Sequence, residues 1–205
     1  MKTVLIGLGA TLALSASAMT ASAKVKTGSN VSDMTVVDSN GVTHNLSDFA
    51  GKKVILEWTN DQCPYVKKHY ETENMQALQR EATAEGDLVW LSVISSAPGE
   101  QGYVDGEGAN KLTSSRQANP SAVILDPEGT MGRTFSAKTT PHMYIIDESQ
   151  TLVYQGAIDD NRSARKSTVA TANNYVRAAL SDLDAGRAVK TPETSPYGCS
   201  VKYAS

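Results

Sequence analysis

The residue with the most evident chemistry is Cys63, which follows an apolar segment, residues 54–58, by a short loop and precedes Pro64. Because proline is favoured at the first position of a helix, this pattern predicts that Cys63 lies at a helix N-terminus. The free N–H groups and dipole there favour thiolate over thiol, and Lys67 and Lys68 add positive charge within about two helical turns. A thiolate attacks disulfides and peroxides, so we expect Cys63 to be a nucleophile. The alternative is a structural cysteine buried among apolar side chains.

Cys199 is the other cysteine of the chain and the candidate resolving residue. It lies in a tail, residues 187–205, that contains Pro and Thr, and Gly198 before it permits a tight turn. In an oxidising compartment two cysteines most simply pair with each other, so we expect a Cys63–Cys199 disulfide. Two roles stay open for this bond: a redox couple, or a structural bridge that stabilises the fold by about 4–5 kcal/mol by closing a long loop.

The elements that must position these cysteines follow from apolar patterns and turn signals. An Asn-Gly turn predicts a hairpin between residues 35–37 and 42–43. Apolar runs typical of buried strands are found at residues 54–58, 88–94 and 122–125, and an antiparallel pair is expected at 143–146 and 152–154. Helices are expected at residues 64–85, 109–117 and 169–185. This alternation predicts an α/β protein with a mixed sheet.

Residues 1–23 have the pattern of a cleaved secretory signal, with a charged start, an apolar run over residues 4–14 and two Ala-x-Ala triplets. The run is shorter than the roughly 20 apolar residues of a membrane-spanning helix, although an uncleaved anchor is the alternative. We expect cleavage after Ala23, a periplasmic or secreted location, and no membrane contact after cleavage. The rest predicts one domain, residues 24–186, followed by a C-terminal arm, residues 187–205, that carries Cys199.

Three segments resemble motifs of the bacterial peroxiredoxin-like redoxins, which are akin to the alkyl hydroperoxide reductase and thiol-specific antioxidant group. They are residues 58–70 (WTNDQCPYVKKHY), 156–161 (GAIDDN) and 197–203 (YGCSVKY). The similarity extends over nearly the whole chain after residue 23, and the tail motif is its most distinctive part. The resemblance implies a thioredoxin-like fold, with a mixed central β-sheet flanked by helices, an N-terminal β-hairpin and a C-terminal arm.

The resemblance also implies roles for residues around the cysteine. In the thioredoxin fold a cis-proline faces the active cysteine, and Pro141, preceded by Thr140, matches it. These two residues, with Thr59, are expected to shape the substrate groove. Glu57 matches a buried acid that moves protons to and from the cysteines, and burial would raise its pKa. A trans Thr140–Pro141 bond and a solvent-facing Glu57 are the alternatives.

The sequence also departs from the pattern of its relatives. Thioredoxins carry Cys-x-x-Cys, but Val66 stands at the second cysteine position, which excludes a local dithiol. Typical peroxiredoxins carry Pro-x-x-x-Thr-x-x-Cys, and here Leu56 and Asn60 occupy the Pro and Thr positions, with Thr59 one residue away. Their distant arginine has no clear counterpart. Arg133 is the candidate, and a solvated surface residue is the alternative.

Metal binding is a weaker interpretation of the same residues. His69, His142 and Cys199 would give a soft, copper-like site, but Lys67 stands where copper-delivery proteins of this fold carry their second cysteine. Residues 159–161 (Asp-Asp-Asn) lack the later ligands of a calcium loop and predict a turn with capping groups. We therefore expect neither a metal nor a cofactor.

These residues predict an exported thiol-based oxidoreductase for disulfide exchange or peroxide reduction. Cys63 attacks, Cys199 resolves and Glu57 assists proton transfer. The expected partner is a thiol or disulfide protein, or a small peroxide; the formal net charge of −3 at pH 7 argues against nucleic acid. The alternative is a non-enzymatic, disulfide-stapled protein of the same fold that binds a partner or handles copper.

Overall fold

A computed structural model of the chain describes residues 24–31 and 33–205, so the predicted signal segment, residues 1–23, lies outside the described residues. The strands are β1 (Thr35–Asp38), β2 (Thr43–Asn45), β3 (Lys53–Trp58), β4 (Leu88–Ile94), β5 (Ala122–Leu125), β6 (Thr139–Thr140), β7 (His142–Ile146), β8 (Leu152–Gly156) and β9 (Cys199–Ser200). The α-helices are α1 (Pro64–Tyr70), α2 (Asn74–Thr83), α3 (Gly106–Ser115), α4 (Thr130–Thr134) and α5 (Tyr175–Asp184). Two short 3₁₀ helices cover Leu46–Phe49 and Lys166–Thr171.

The central sheet has seven strands in the order β2-β1-β5-β4-β3-β7-β8. Strands β3, β4 and β5 run parallel to one another, whereas β1, β2, β7 and β8 each pair antiparallel with their neighbours. Every residue of β3 and β4 is buried, which explains why these strands are apolar runs rather than alternating ones. The predicted mixed sheet and N-terminal hairpin are thus confirmed.

The two faces of the sheet carry separate apolar clusters. Along β3, Leu56 and Trp58 pack into one cluster and Ile55 into the other, as the two-residue period of a strand requires. Helices α1, α2 and α5 cover the face of Ile55, and α4 covers the opposite face. Cys63 packs in the cluster of Ile55, and Glu57 points to that same face by alternation. The fold therefore gathers the predicted reactive residues on one side of the sheet.

The single helix predicted over residues 64–85 is wrong, because the chain forms two helices there. Glu73 adopts a left-handed conformation with φ 59°, which ends α1 and redirects the chain into α2. The Thr72 hydroxyl donates to the carbonyl of Lys68 at 2.7 Å, where it competes with the backbone for the end of the helix. The apolar period that runs through this region does not reveal the break.

The predicted start of the last helix is also wrong. Residues that fit the helical period from position 169 form a 3₁₀ segment, and α5 begins only at Tyr175. Asn174 caps α5, since its side chain accepts a hydrogen bond from the Arg177 N–H at 3.0 Å. Gly186, at φ +68°, follows the helix end, as predicted.

The C-terminal arm folds back over the domain. Its early part runs beside β8, where the Gln155 N–H donates to the Pro192 carbonyl at 3.0 Å. Its later part forms β9, which pairs antiparallel with β6 in a separate two-stranded sheet. In the part of the chain that the structure describes, no helix is both long and apolar enough to cross a bilayer.

Candidate active site

Cys63 is the residue that caps α1, as the sequence predicts. Its backbone is extended, Pro64 follows at the first helical position, and the Cys63 carbonyl accepts from the Lys67 N–H at 2.9 Å. Proline fits this position because the missing N–H would have had no partner within the helix. The strand-to-helix turn thus fixes the backbone of Cys63 beyond the carboxyl end of β3.

The structure brings Cys199 to Cys63, and their Sγ atoms are 2.7 Å apart. Both are free thiols in the described structure. The pairing of β6 with β9 sets Cys199 opposite Thr140, and the Cys63 thiol donates to the Thr140 carbonyl at 3.1 Å. Because the S–S bond of a disulfide is about 2.05 Å, a small movement suffices to join the two sulfur atoms.

The two thiols differ in their environments. Burial raises the pKa of the Cys199 thiol to about 12, and the hydrogen bond and charge of Cys63 act in the same direction. Cys199 is therefore a protonated thiol at neutral pH while it lies beside Cys63. Because a protonated thiol is a poor nucleophile, Cys199 is disfavoured as the first residue to attack.

Cys63 is closed off from solvent, with an exposed fraction of 0%. It packs in a cluster that includes Tyr197 and Cys199 of the arm. Sequence reasoning expected a reachable nucleophile and did not anticipate that the arm covers it. In this arrangement the Cys63 side chain is not accessible to a molecule in solution.

Glu57 lies fully buried beneath α1 and α2, which excludes the solvent-facing alternative. Its carboxyl group accepts four hydrogen bonds, from Tyr70 Oη at 2.8 Å, Trp90 Nε1 at 3.0 Å, Ser92 Oγ at 3.0 Å and Gln79 Nε2 at 3.2 Å. Burial raises the pKa of Glu57, and these hydrogen bonds oppose the shift only in part. Glu57 can therefore hold a proton at a higher pH than an exposed glutamate.

The Thr140–Pro141 peptide bond is cis, as the resemblance implied, and the trans alternative is excluded. The Thr140 carbonyl faces Cys63, whereas its side-chain hydroxyl is buried without a partner among the described residues. The hydroxyl of Thr59, in the loop before α1, is buried in the same way. Two hydroxyls thus remain available for hydrogen bonding in the segments that flank the cysteine.

Lys68 does not direct its charge to Cys63, contrary to expectation. Its Nζ donates to the carbonyls of Asn161 at 2.8 Å and Ser163 at 2.9 Å and to Tyr197 Oη at 3.1 Å, and it lies 3.7 Å from Asp159. Burial lowers the pKa of Lys68, and the Asp159 charge opposes that shift. Lys67 is exposed.

Asn60 and Arg133 do not supply the peroxide-polarising groups of typical peroxiredoxins. The Asn60 side chain accepts from the Gln62 N–H at 2.9 Å and donates to the Gln101 carbonyl at 3.0 Å, so it is used to shape the loop. Arg133 is exposed and donates to the Ala204 carbonyl at 2.9 Å. The surface alternative for Arg133 is therefore correct.

The copper-like set is not assembled. Burial lowers the pKa of both His69 and His142 to about 3. His142 Nδ1 lies 3.0 Å from Tyr144 Oη, and His69 Nδ1 lies 2.9 Å from Asn74 Nδ2. Within residues 24–31 and 33–205, no three His, Cys, Asp or Glu side chains are placed to hold a metal ion.

Sequence reasoning missed a buried polar cluster at the arm. The Tyr197 hydroxyl donates to Asp159 and accepts from Lys68, and His69 Nε2 lies 3.5 Å from it. The predicted turn with capping groups is also present, since Asp159, Asp160 and Asn161 accept from the backbone N–H groups of Asn161 at 3.0 Å, Asn173 at 3.0 Å and Ser163 at 3.1 Å. The available signal was that Asp159 and Tyr197 both lie in segments that resemble redoxin motifs.

Comparisons with known proteins agree with the fold of the domain. A family model described as Redoxin matches residues 26–175, which include Cys63 and end before the arm. A hypothetical protein from Sinorhizobium meliloti is 20% identical with a TM-score of 0.70, and the alignment covers 89% of this chain and 97% of that one. An uncharacterized conserved protein from Geobacillus kaustophilus is 21% identical with a TM-score of 0.70, covering 87% and 93%.

A third solved structure, a candidate thiol:disulfide interchange protein DsbE from Chlorobium tepidum, is 21% identical with a TM-score of 0.52, and the alignment covers 64% of this chain and 85% of that one. At such identities the likeness shows the fold alone. Among curated proteins, none matches the chain. The predicted fold class, a mixed sheet flanked by helices, is confirmed.

Proposed function

The chain belongs to the Redoxin family, with a thioredoxin-like fold, and from this premise we propose that it is a thiol-disulfide oxidoreductase whose reacting pair is Cys63 and Cys199. Membership of the family supports oxidoreductase activity. The observation that carries the proposal is the 2.7 Å separation of the two Sγ atoms, with Cys63 at the cap of α1. The pair replaces the local dithiol that Val66 excludes.

The reaction begins when the arm moves aside and the Cys63 thiolate attacks a disulfide of a partner protein. A bond forms between Cys63 Sγ and one partner sulfur, while the other partner sulfur leaves and takes up a proton. Cys199 then attacks Cys63 Sγ, which forms the Cys63–Cys199 disulfide and releases the first partner sulfur as a thiol. The partner gains two electrons, and the cysteine pair loses two.

The pKa of Cys199 fits its place as the second nucleophile. Burial raises that pKa, and the hydrogen bond and charge of Cys63 raise it further. Once Cys63 is bonded to the partner, it carries neither a charge nor a thiol hydrogen. The contributions of Cys63 then disappear, and Cys199 loses its proton more readily when it has to attack.

Glu57 is proposed to assist these proton transfers. It lies on the face of the sheet that α1 covers, and burial raises its pKa above that of an exposed glutamate. Its four hydrogen-bond donors fix the carboxyl group in one orientation. Thr59, Thr140 and Pro141 are proposed to line the substrate groove.

Peroxide reduction is the second candidate function. The Cys63 thiolate would attack a peroxide oxygen, giving a sulfenic acid and an alcohol or water, and Cys199 would condense with the sulfenic acid to give the disulfide and water. The buried hydroxyls of Thr59 and Thr140, which lack partners among the described residues, support this by offering hydrogen bonds to oxygen atoms. The positions of Asn60 and Arg133 weigh against it.

We also propose that the protein is exported, with residues 1–23 as its signal, a domain over residues 24–186 and the arm over residues 187–205. A periplasmic or secreted location suits a cysteine pair that ends its reaction as a disulfide, because disulfides persist in oxidising compartments. Cell fractionation followed by N-terminal sequencing tests this, and the expected first residue is Lys24. A chain that retains Met1 at the membrane would contradict it.

The central experiment compares the wild type with Cys63→Ser and Cys199→Ser in two assays, reduction of a disulfide-bonded protein and loss of a peroxide. Cys63→Ser should abolish the activity, and Cys199→Ser should accumulate a mixed disulfide with the substrate protein. If the wild type and Cys63→Ser behave alike, the protein is not a thiol enzyme. A reduction potential below about −300 mV would instead identify the Cys63–Cys199 bond as a structural bridge.

A further inference from the structure

The arm is held by a polar contact as well as by apolar packing, and this contact lies two residues before Cys199. Tyr197 is 4% exposed, and its hydroxyl bonds to both Lys68 and Asp159. Lys68 and Asp159 are themselves 1% and 3% exposed, so the contact is sealed from water. The ring of Tyr65 packs edge-on against Tyr197, with ring centroids 5.8 Å apart.

The cluster is complete only when the arm is docked. Buried charges are tolerated when they are paired and their hydrogen-bonding capacity is used. The Tyr197 hydroxyl supplies a donor to Asp159 and an acceptor to Lys68 at the same time. Removal of that hydroxyl leaves both charged groups one hydrogen bond short in a buried site, which is more costly than the loss of an exposed bond.

Helix α1 carries a contact partner of both Tyr197 and Cys199. Helix α1 presents Cys63 at its cap and Lys68 in its last turn. Five residues of helix span about 7.5 Å along the axis, and two residues of chain reach at most about 7 Å. The length of chain from Tyr197 to Cys199 therefore matches the distance along α1 from Lys68 to Cys63.

Gly198, which joins Tyr197 to Cys199, leaves no room for a side chain. Gly198 has a φ of +142°, and the Thr140 carbonyl occupies the place where its Cβ would lie. A slip of one residue would place Tyr197 or Cys199 instead of Gly198 against this carbonyl, where no Cβ atom fits, and would take Tyr197 out of the polar cluster. The contact of Tyr197 with the polar cluster and the contact of Cys199 with Cys63 therefore require the same register of the arm.

We propose that Tyr197 is the positioning residue for the resolving step, in that its hydroxyl, held by Lys68 and Asp159, fixes the register in which Cys199 meets Cys63. This proposal rests on the proposed function, in which Cys199 resolves the mixed disulfide. Loss of the Tyr197 hydroxyl makes Cys63 easier to reach and Cys199 slower to close.

The test uses 5,5′-dithiobis(2-nitrobenzoate), a small disulfide whose released thiolate is coloured. The fully reduced wild type should release one equivalent when Cys63 attacks and a second when Cys199 closes the disulfide. In Tyr197→Phe the first phase should be at least about threefold faster, because the arm opens more often. The second phase should be at least about tenfold slower. A general loss of stability would not move the two phases in opposite directions.

Tyr203→Phe is the matched control, because Tyr203 also lies in the arm and its hydroxyl donates to the neutral Ala137 carbonyl at 2.8 Å. It should slow the second phase less than Tyr197→Phe does. Asp159→Asn keeps the shape of the acceptor and removes its charge. It should also give a faster first phase and a slower second phase, so the test does not depend on one variant. Thermal unfolding of each variant verifies that the domain is folded.

The outcomes separate the two proposals. If the wild type releases a single equivalent and forms no internal disulfide, the proposed function fails. If the wild type releases two equivalents and both Tyr197→Phe and Asp159→Asn release the second at the wild-type rate, the proposed function stands and the positioning role of Tyr197 is overturned.

Discussion

Gly198 lies against the carbonyl group of Thr140 so closely that no Cβ atom fits between them. The same carbonyl accepts the thiol of Cys63 at 3.1 Å, and Thr140 is the strand partner of Cys199. The approach of the arm to β6 therefore determines how near the two sulfur atoms come. A residue with a side chain at position 198 must lift the arm from β6.

Gly198→Ala should lower the equilibrium constant for forming the Cys63–Cys199 disulfide by at least about tenfold, or about 1.4 kcal/mol. The reason is that the added methyl group collides with the Thr140 carbonyl. Titration of the reduced protein against glutathione redox buffers measures the constant. Gly186→Ala is the control, because Gly186 also has a positive φ but has open space around its Cβ position. It should cost about 1 kcal/mol of stability and leave the disulfide equilibrium unchanged.

Glu57→Gln should change how stability depends on pH. Burial raises the pKa of Glu57, so the folded protein binds more protons than the unfolded chain once the pH approaches and exceeds 4.5, the ordinary pKa of a glutamate. Stability should therefore fall as the pH rises from that value through the folded pKa of Glu57. The variant has no such proton to lose. The lowered pKa values of His69 and His142 add a slope of the opposite sign below pH 6.5 in both proteins, so the expected result is that the stability of the variant falls less, or rises more, with pH than that of the wild type.

Urea unfolding between pH 4.5 and pH 9 gives these slopes. Burial also raises the pKa of Asp126, which is present in both proteins, so some slope should remain in Glu57→Gln. Glu100→Gln, at an exposed position, is the control and should retain the wild-type slope. Identical slopes for the wild type and Glu57→Gln would contradict the raised pKa.

Cys63→Ala should make Cys199 ionise at a lower pH. The hydrogen bond and charge of Cys63 contribute to raising the Cys199 pKa to about 12, although burial is the larger cause. Without Cys63 the thiolate fraction of Cys199 at pH 8 should increase at least about threefold. The rate of Cys199 alkylation by iodoacetamide, followed by peptide mass spectrometry against pH, measures this. An unchanged profile would show that burial alone sets the pKa of Cys199.

Thr59→Val should stabilise the fold by about 1 kcal/mol, since it removes a buried hydroxyl that has no partner among the described residues. Disulfide exchange should be unaffected, whereas peroxide reduction should fall if the hydroxyl binds a peroxide oxygen. Thr113→Val is the control for stability, because the Thr113 hydroxyl donates to the Ala109 carbonyl at 2.9 Å. A Thr59→Val protein that loses both activities would show that Thr59 shapes the site for either reaction.

The sequence predicted the central sheet well, because the strands that form it carry strong local signals. Strands β3 and β4 are apolar runs, and the Asn40-Gly41 turn lies between β1 and β2. The break between α1 and α2 was missed, because it depends on the left-handed backbone of Glu73, a residue type that does not mark such a conformation. A buried strand is marked by several apolar residues in a row, whereas the break between two helices is set at one position and leaves no repeated pattern.

The candidate site was predicted only in part, for a related reason. Cys63, Glu57 and Pro141 occupy positions that a motif or a spacing marks. Tyr197 and Asp159 meet across the fold, and no local pattern shows that a tail tyrosine bonds to a loop carboxylate. Strands β6 and β9 have two residues each, too few for any alternation to appear.

The attachment of Cys199 to the same chain as Cys63 has a kinetic consequence. Encounter with a partner protein is bimolecular and slows in proportion as the solution is diluted. Closure by Cys199 is unimolecular, so its half-life is the same in a crowded compartment and in a large external volume. In the proposed reaction, the release of a captured partner therefore depends on the arm alone and not on the supply of a second thiol.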